Sequence, residues 1–249
     1  MPDALLDYFQ HCYIINLPHR TDRRREVEYE LRRIGIDQND SRVTFFPAVR
    51  PEEPGGFPSI GARGCFLSHL GVLKEARDGG LRRVLIAEDD LTLAKDFTRR
   101  IDGVIAALAG RPWDIFYGGH QLERQPETID ANGIADVSRQ SVQNLHLLAV
   151  QGSAISDLVT FLETVLSRRP GDPMGGPMHV DGAYTTFRKQ NPNIVTLAAI
   201  PALGFQRSSR TDIHPNAWFD RTPIVKTVIL LLRRGKNLLR FRFRRIDSL

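Results

Sequence analysis

The sequence predicts an α/β fold: an open, mostly parallel sheet flanked by helices, in a single domain. Short apolar runs alternate with segments whose apolar residues recur every three or four positions, which indicates strands joined by crossover helices. The chain has 249 residues, of which 41% are hydrophobic and 25% are charged, enough for one substantial core. We therefore expect a globular enzyme-like domain.

Continuous apolar runs mark the predicted strands, because a strand covered on both faces has no polar alternation. These runs are Cys12–Leu17, Val43–Phe46, Val84–Ala87, Trp113–Tyr117, Leu147–Val150 and the extended segment Ile194–Ala199. The polar stretch 119–145 is predicted to be irregular or edge structure.

Helical periodicity separates these runs. The predicted helices begin at Thr21, which we expect to cap the first one, and cover 62–78, 97–109, Ile155–Leu166 and Val180–Lys189. Gly35 is expected to end the first helix, and Gly79-Gly80 the second. Glycine and proline make 51–58 and 169–177 surface loops.

The formal charge of +5 is unevenly distributed along the chain. Residues 221–249 contain nine Lys or Arg and one Asp, a net +8, whereas residues 1–220 carry −3. We predict one globular domain at 1–220 and a basic amphipathic tail at 221–249. The tail is expected to lie on an anionic membrane surface, where each basic residue contributes about 1 kcal/mol; packing on the body or on a second subunit is the alternative. Nucleic-acid binding is not expected, since the domain itself is slightly acidic.

The two cysteines, Cys12 and Cys65, lie in apolar runs and are predicted to be buried thiols. Such sparse cysteine predicts neither a disulfide framework nor a zinc site. The first residues carry acids where a secretory signal carries bases, so a cytoplasmic location is expected, with the tail on the inner face of the plasma membrane.

Three consecutive acids follow the third strand: Glu88, Asp89 and Asp90. Ligands of open α/β sheets bind at the carboxyl ends of strands, and adjacent carboxylates resist burial unless a cation joins them. Carboxylate oxygens suit Mn²⁺ or Mg²⁺. If the chain stays extended, Glu88 and Asp90 face one side of the sheet and Asp89 the other. The alternative is that the acids cap the next helix or solvate a loop.

A second polar segment, 16–25, follows the first strand and contains four arginines. Arginines at a helix start favour an anion such as phosphate. A solvated helix face, with Asp22 and Glu26 as local partners, explains the segment equally well.

Five segments in order resemble glycosyltransferase family 25, which includes bacterial lipopolysaccharide and lipooligosaccharide galactosyltransferases and collagen galactosyltransferases. The segments are Tyr13–Arg24, Gly61–His69, Val84–Asp90, Trp113–Gly119 and Val180–Gly182. The resemblance extends from about residue 11 to 213. It implies a GT-A type nucleotide-sugar fold, a UDP-sugar donor, commonly UDP-galactose, and inversion at the anomeric carbon.

The resemblance also implies roles for individual residues. The nucleotide pocket would include Asn16, Leu17, Arg20 and Arg23, with Asp89 beside them, and Glu88 and Asp90 would hold the metal. Ser68 and His69 are weaker candidates for nucleotide or donor-sugar contact, since a histidine on a packed helix is more often structural. Arg207, Ser209 and Asp212 are candidates for late diphosphate contacts, with a plain loop as the alternative.

Inversion requires a base that takes the proton of the attacking acceptor hydroxyl, and Asp181 is the predicted base. It follows a Gly/Pro loop that is expected to close over the substrates. The alternative for Asp181 is a helix N-cap, and His179 and Asp212 are reserve candidates for the base.

The predicted function is transfer of a hexose from a UDP-sugar to a saccharide or lipid-linked saccharide of the cell envelope. Nucleotidyl or phosphoryl transfer is less favoured, because the sequence lacks a Walker-type Gly-x-x-x-x-Gly-Lys-Ser/Thr loop. A membrane-associated nucleotide-binding or adaptor protein would explain the tail but would leave the three acids without a role.

Overall fold

An open seven-stranded sheet forms the centre of the fold. The structure is a computed structural model and describes residues 2–207. The strands of this sheet are β1 (Cys12–Asn16), β2 (Val43–Pro47), β3 (Arg83–Glu88), β5 (Ile115–Leu122), β6 (Ile134–Asp136), β7 (Val142–Gln151) and β8 (Thr196–Ala199). Two further strands, β4 (Leu91–Leu93) and β9 (Gly204–Gln206), pair antiparallel with each other.

The spatial order of the sheet is β2-β1-β3-β7-β5-β8-β6. Strands β1, β2 and β3 pair in parallel, as do β5 and β8. Strand β7 lies antiparallel between β3 and β5, and β6 lies antiparallel at the edge. Five of the seven strands therefore run in one direction, which confirms the predicted mostly parallel sheet.

Within residues 2–207, six helices cover the two faces of the sheet. They are α1 (Pro2–Phe9), α2 (Thr21–Arg33), α3 (Ile60–Asp78), α4 (Phe97–Ala109), α5 (Ser153–Ser167) and α6 (Val180–Gln190). Helices α3, α5 and α6 share one buried cluster with Val84 and Ile86 of β3. Helices α1, α2 and α4 share the other with Leu85 and Ala87. The alternation along β3 therefore assigns each side chain to one helical layer.

Most predicted elements are confirmed, with differences at their ends. Helix α4 has the predicted bounds, whereas β7 begins at Val142 rather than 147. Strand β5 extends to Leu122, into the stretch predicted to be irregular, because it continues to pair with β7 past two register shifts. The short elements α1, β4 and β9 were not predicted.

The predicted cap at Thr21 is wrong. Arg20 occupies the N-cap position of α2, and its side chain makes no capping hydrogen bond. Gly35 has φ +81°, a conformation that only glycine adopts without strain, and the helix ends just before it as predicted.

The described residues up to Gln206 form one compact unit. No helix in this part of the chain is long and apolar enough to cross a bilayer. The predicted domain boundary at 220 and the basic tail at 221–249 lie outside the described residues, as do Ser209 and Asp212.

Candidate active site

The carboxyl ends of β1 and β3 lie side by side, and polar residues follow both. Ile15 pairs with Glu88, and the Asp89 amide donates to the Ile15 carbonyl at 3.1 Å. Asn16 and the three acids are therefore brought to one edge of the sheet, as expected for the ligand-binding edge of an open α/β fold.

The three acids face different neighbours. Alternation along β3 holds as far as Asp89: Glu88 faces α3, and Asp89 faces α2. The strand ends at Glu88, and Asp89-Asp90 form a turn. Asp90 consequently turns toward α2, with its Oδ2 3.8 Å from Arg23 Nη1, but it stays near enough to Glu88 for the two charges to repel each other.

Asp89 is engaged on both carboxylate oxygens. Its Oδ1 accepts from Arg23 Nη1 at 2.7 Å, and its Oδ2 accepts from Asn16 Nδ2 at 2.8 Å. The Arg23 and Asp89 side chains are only 10% and 9% exposed. Removing one partner of such a buried pair leaves an uncompensated charge and typically costs about 3–5 kcal/mol. Three residues assigned to the nucleotide pocket thus bind one another and fasten α2 to β3.

Asp90 is held through one oxygen. Its Oδ2 accepts from Gln206 Nε2 of β9 at 3.1 Å, whereas its buried Oδ1 has no hydrogen-bond partner among residues 2–207. Burial, with a further contribution from the Glu88 charge, raises the pKa of Asp90 to about 7. A buried carboxylate with one unengaged oxygen fits a bound cation, since a cation would relieve both the burial and the repulsion.

Glu88 contacts two residues of α3. Its Oε1 lies 3.4 Å from His69 Nε2 and 3.5 Å from Cys65 Sγ. Burial acts to raise the pKa of Glu88, but the His69 contact and the nearby His146 outweigh burial and lower it. The Glu88 side chain is 21% exposed, so part of it reaches solvent.

Ser68 and His69 are both fully buried. The Ser68 hydroxyl donates to the Gly64 carbonyl at 2.7 Å and accepts from the Val49 amide at 2.9 Å. These contacts satisfy the hydroxyl and hold α3 against the segment that follows β2. Contact between Ser68 and a nucleotide stays a prediction.

Asp181 lies in the first turn of α6, with its Oδ1 accepting from the Gly182 amide at 2.8 Å. The N-cap of α6 is His179, so the alternative that Asp181 is the cap is wrong. Tyr184 of the same helix packs against His69, with ring centroids 6.0 Å apart. The Asp181 charge adds to the burial effects that raise the pKa values of Cys65 and Tyr117, so Asp181 lies close to the Glu88 end of the site.

The remaining predicted residues lie around this edge with local contacts. Arg20 forms a bidentate pair with Asp22, at 3.0 and 2.9 Å, as the helix-face alternative expected. Leu17 is half-buried, and His179 is exposed. Arg207 is the last described residue.

Four residues of the site were missed by sequence reasoning. Cys65 precedes His69 by one helical turn, a spacing that places both on the same face and was available as a signal. His146 reaches Glu88 because Leu147 of β7 pairs with Ala87. Gln206 and Tyr117 are distant in sequence, and no local pattern connects them to the acids.

Comparison with known proteins was made by sequence and by structure. No family model matches the chain. The chain is 29% identical over 175 residues to procollagen galactosyltransferase 1-B of Xenopus laevis, covering 61% of this chain and 28% of that protein. A glycosyltransferase 25 family member of Anopheles gambiae is 31% identical over 140 residues, covering 47% of this chain and 23% of that protein. The resemblance to glycosyltransferase family 25 is confirmed.

Not all of the similar family 25 proteins are described as active. A probable inactive glycosyltransferase 25 family member 3 of Bos taurus is 26% identical over 206 residues, covering 74% of this chain and 33% of that protein. The chain thus spans a third or less of the length of these curated relatives. A solved glycosyltransferase involved in glycosylation of the major capsid of PBCV-1 matches with a TM-score of 0.48 and 14% identity, covering 81% of this chain and 94% of that one.

Proposed function

We propose that the protein is an inverting glycosyltransferase that moves a hexose, in particular galactose, from a UDP-sugar to a saccharide acceptor of lipopolysaccharide or another envelope glycan. The observation that carries the proposal is the buried Asp90 oxygen without a partner among residues 2–207, beside Glu88 at the carboxyl end of β3. Similarity to family 25 galactosyltransferases supports the same reaction class.

The donor complex requires a divalent cation in this proposal, and the acids fit one. Asp90 and Glu88 would hold Mn²⁺ or Mg²⁺, which when bound neutralises the diphosphate of the donor and of the departing UDP. Asp89 is already neutralised by Arg23, so it contributes by positioning the turn that carries Asp90.

Asp181 acts as the base. Its carboxylate takes the proton of the acceptor hydroxyl as the oxygen bonds to the anomeric carbon and the bond from that carbon to UDP breaks. The Gly182 amide engages one carboxylate oxygen, which holds the side chain at the N-terminal end of α6 and leaves the other oxygen for the acceptor. The loop 169–177 closes over the substrates in this scheme.

The nucleotide binds at the ends of β1 and α2. Asn16, Leu17, Arg20 and Arg23 line this part of the edge, and His69 and Ser68 support it from α3. The guanidinium groups of Arg20 and Arg23 offset Asp22 and Asp89, with which they pair, and a bound cation would offset the remaining acids and favour the diphosphate.

The proposed location is the cytoplasm, with the basic segment 221–249 on the inner face of the plasma membrane. Nine basic residues in this segment attract anionic lipid. This places the site beside a lipid-linked saccharide acceptor.

UDP release from a panel of UDP-sugars tests the proposal. The full chain is incubated with UDP-galactose, UDP-glucose and UDP-N-acetylglucosamine, with and without Mn²⁺. We expect UDP release to require the cation and to be fastest with one of the donors. When no acceptor is present, the release reports slow hydrolysis of the donor by water. Similarity to relatives described as inactive favours a second candidate, a nucleotide-sugar-binding protein without transfer. Calorimetry that shows binding of a UDP-sugar, together with no UDP release from any UDP-sugar in the presence of any tested saccharide acceptor, would establish that second function.

A further inference from the structure

Three side chains with different donor atoms converge on the α3 side of β3. Cys65 and His69 lie one turn apart on α3, and Glu88 ends β3. Glu88 Oε1 is 3.5 Å from the Cys65 sulfur and 3.4 Å from His69 Nε2, and all three donor atoms lie within 4.8 Å of one another. Ligands about 2.0–2.3 Å from a tetrahedral ion are separated by roughly 3.3–3.8 Å. The two distances from Glu88 Oε1 match this range, and the distance between the Cys65 sulfur and the His69 nitrogen is bounded only by 4.8 Å.

The charges of the cluster balance a divalent ion. Binding replaces the thiol proton with a sulfur–metal bond and releases that proton to solvent, so thiolate and carboxylate together offset two positive charges. The imidazole of His69 stays neutral and binds through a ring nitrogen. His69 is fully buried, its ring packs against Tyr184, and its Nδ1 has no hydrogen-bond partner within residues 2–207, so Nε2, which faces Glu88, is its one engaged nitrogen there.

The identity of the donors selects the metal. Sulfur and imidazole nitrogen favour a borderline-soft ion such as Zn²⁺ over Mg²⁺ or Mn²⁺, which prefer oxygen. Asp90 and its neighbours offer oxygen alone, so the two sites differ in chemistry while sharing Glu88. The exposed part of Glu88 provides a path for the ion and a position for a fourth ligand such as water.

We infer that Cys65, His69 and Glu88 form a zinc-binding site that joins α3 to β3. Because the sequence has only two cysteines, it predicted no zinc site. The fold brings His69 and Glu88 to Cys65, which a count of cysteines cannot reveal. Because both α3 contacts of Glu88 are made through Oε1, zinc would bind this oxygen and leave Oε2 for the donor cation.

Cobalt and zinc binding to the untagged full chain test this inference, with Cys12 as the matched control. Cys12 is a buried free thiol on β1 and lies outside the cluster. In a Cys12→Ala variant, Cys65 is the single remaining thiol. We expect one Co²⁺ per chain with a near-ultraviolet thiolate-to-cobalt charge-transfer band in this variant, displaced by Zn²⁺ but not by Mg²⁺. Cys65→Ala should lose the band and bind Zn²⁺ at least about tenfold more weakly, since even the loss of an outer-shell partner costs that much.

The absence of the charge-transfer band from Cys12→Ala, or equal Zn²⁺ affinity in Cys65→Ala and wild type, would overturn the site. If Cys65→Ala fails to fold, the band in Cys12→Ala decides the question alone. All of these readouts measure metal binding without turnover. A failure of UDP release therefore leaves the zinc site standing, and a failure of zinc binding leaves the transferase standing.

Discussion

At the scale of single residues, neighbouring carboxylates of identical chemistry have different tasks because their partners differ. Asp89 is saturated by Arg23 and Asn16, Glu88 faces Cys65 and His69, and Asp90 keeps one buried oxygen without a partner in residues 2–207. A negative charge on the buried Asp90 carboxylate lowers the stability of the fold. Asp90 therefore has the environment expected of a functional residue rather than a stabilising one.

Asp90→Asn is expected to reduce UDP release at least about a hundredfold while leaving the protein as stable as wild type or more stable. The amide keeps the shape and the Gln206 contact but removes the buried charge. The folded-state pKa of about 7 exceeds that of the unfolded chain, so this group disfavours folding progressively as the pH rises from 4 to above 7. With divalent cations removed by EDTA, the unfolding free energy of Asp90→Asn should therefore exceed that of wild type by more at pH 8 than at pH 4. Urea denaturation measures it, with the exposed Asp157→Asn as control; unchanged turnover would remove the proposed role.

Asp181→Asn is expected to abolish sugar transfer while the dissociation constant for UDP-sugar changes less than about threefold. An amide accepts no proton, although it can still accept the hydrogen bond from Gly182. Calorimetry for binding and product analysis for transfer separate the two effects. Asp157→Asn on α5 changes the same charge at an exposed position and should match wild type. Retained transfer would assign the base to another residue.

At the scale of elements, α3 determines where one side of the site lies. The Ser68 hydroxyl bridges α3 to the segment after β2, and a Cβ on Gly64 would lie 2.6 Å from the Val49 carbonyl, so the helix approaches that segment closely. This approach sets the position of Cys65 and His69 relative to Glu88. The helix is thus a positioning element for the site.

Ser68→Ala is expected to lower the unfolding free energy by about 1 kcal/mol, because the partly buried hydrogen bond from the Val49 amide loses its acceptor. Chemical denaturation measures the change. Ser167→Ala is a suitable control, since that serine also donates to a carbonyl of its own helix, the Thr164 carbonyl at 2.8 Å, but at an exposed position. A stable variant with weakened UDP-sugar binding would instead favour the predicted nucleotide contact.

At the scale of the whole chain, charge is segregated along the sequence. Residues 1–220 carry −3 and residues 221–249 carry +8, so attraction to an anionic surface resides in the last segment. Such attraction is long-ranged and weakens as salt screens it. The two activities proposed for the protein, sugar transfer and membrane binding, are therefore expected to be separable.

Replacing Arg240, Arg242, Arg244 and Arg245 with Gln in the full chain is expected to weaken binding to phosphatidylglycerol vesicles by up to about a thousandfold, since each basic residue contributes about 1 kcal/mol. UDP release should persist. Vesicle sedimentation at low and high salt measures the effect, and neutral phosphatidylcholine vesicles serve as the control. Equal binding by the substituted protein, or by a chain lacking 222–249, would contradict the role of the basic segment.

Much of the architecture could be predicted from periodicity alone. The strands β1, β2 and β3 and the helices α2 to α6 follow apolar patterns that depend on local spacing, and the prediction placed all of them. The antiparallel insertion of β7 could not be predicted, because strand order depends on pairing between residues 60 or more positions apart, such as Ala87 and Leu147. The continuation of β5 and the start of β7 lie in the polar stretch 119–145. They were not predicted, because pairing between the two strands, and not a local apolar pattern, makes these residues extended.

The acidic triplet and its place after a buried strand are evident from the sequence alone. A run of apolar residues marks the strand, and ligands bind at the carboxyl ends of strands in α/β sheets generally. The folded chain was needed to assign partners: Arg23 and Asn16 to Asp89, Gln206 to Asp90, and Cys65 and His69 to Glu88. Hydrogen bonds and charge interactions act over a few ångströms in space, irrespective of separation along the chain. A turn of two residues after β3 was therefore sufficient to move Asp90 away from the side that alternation predicted.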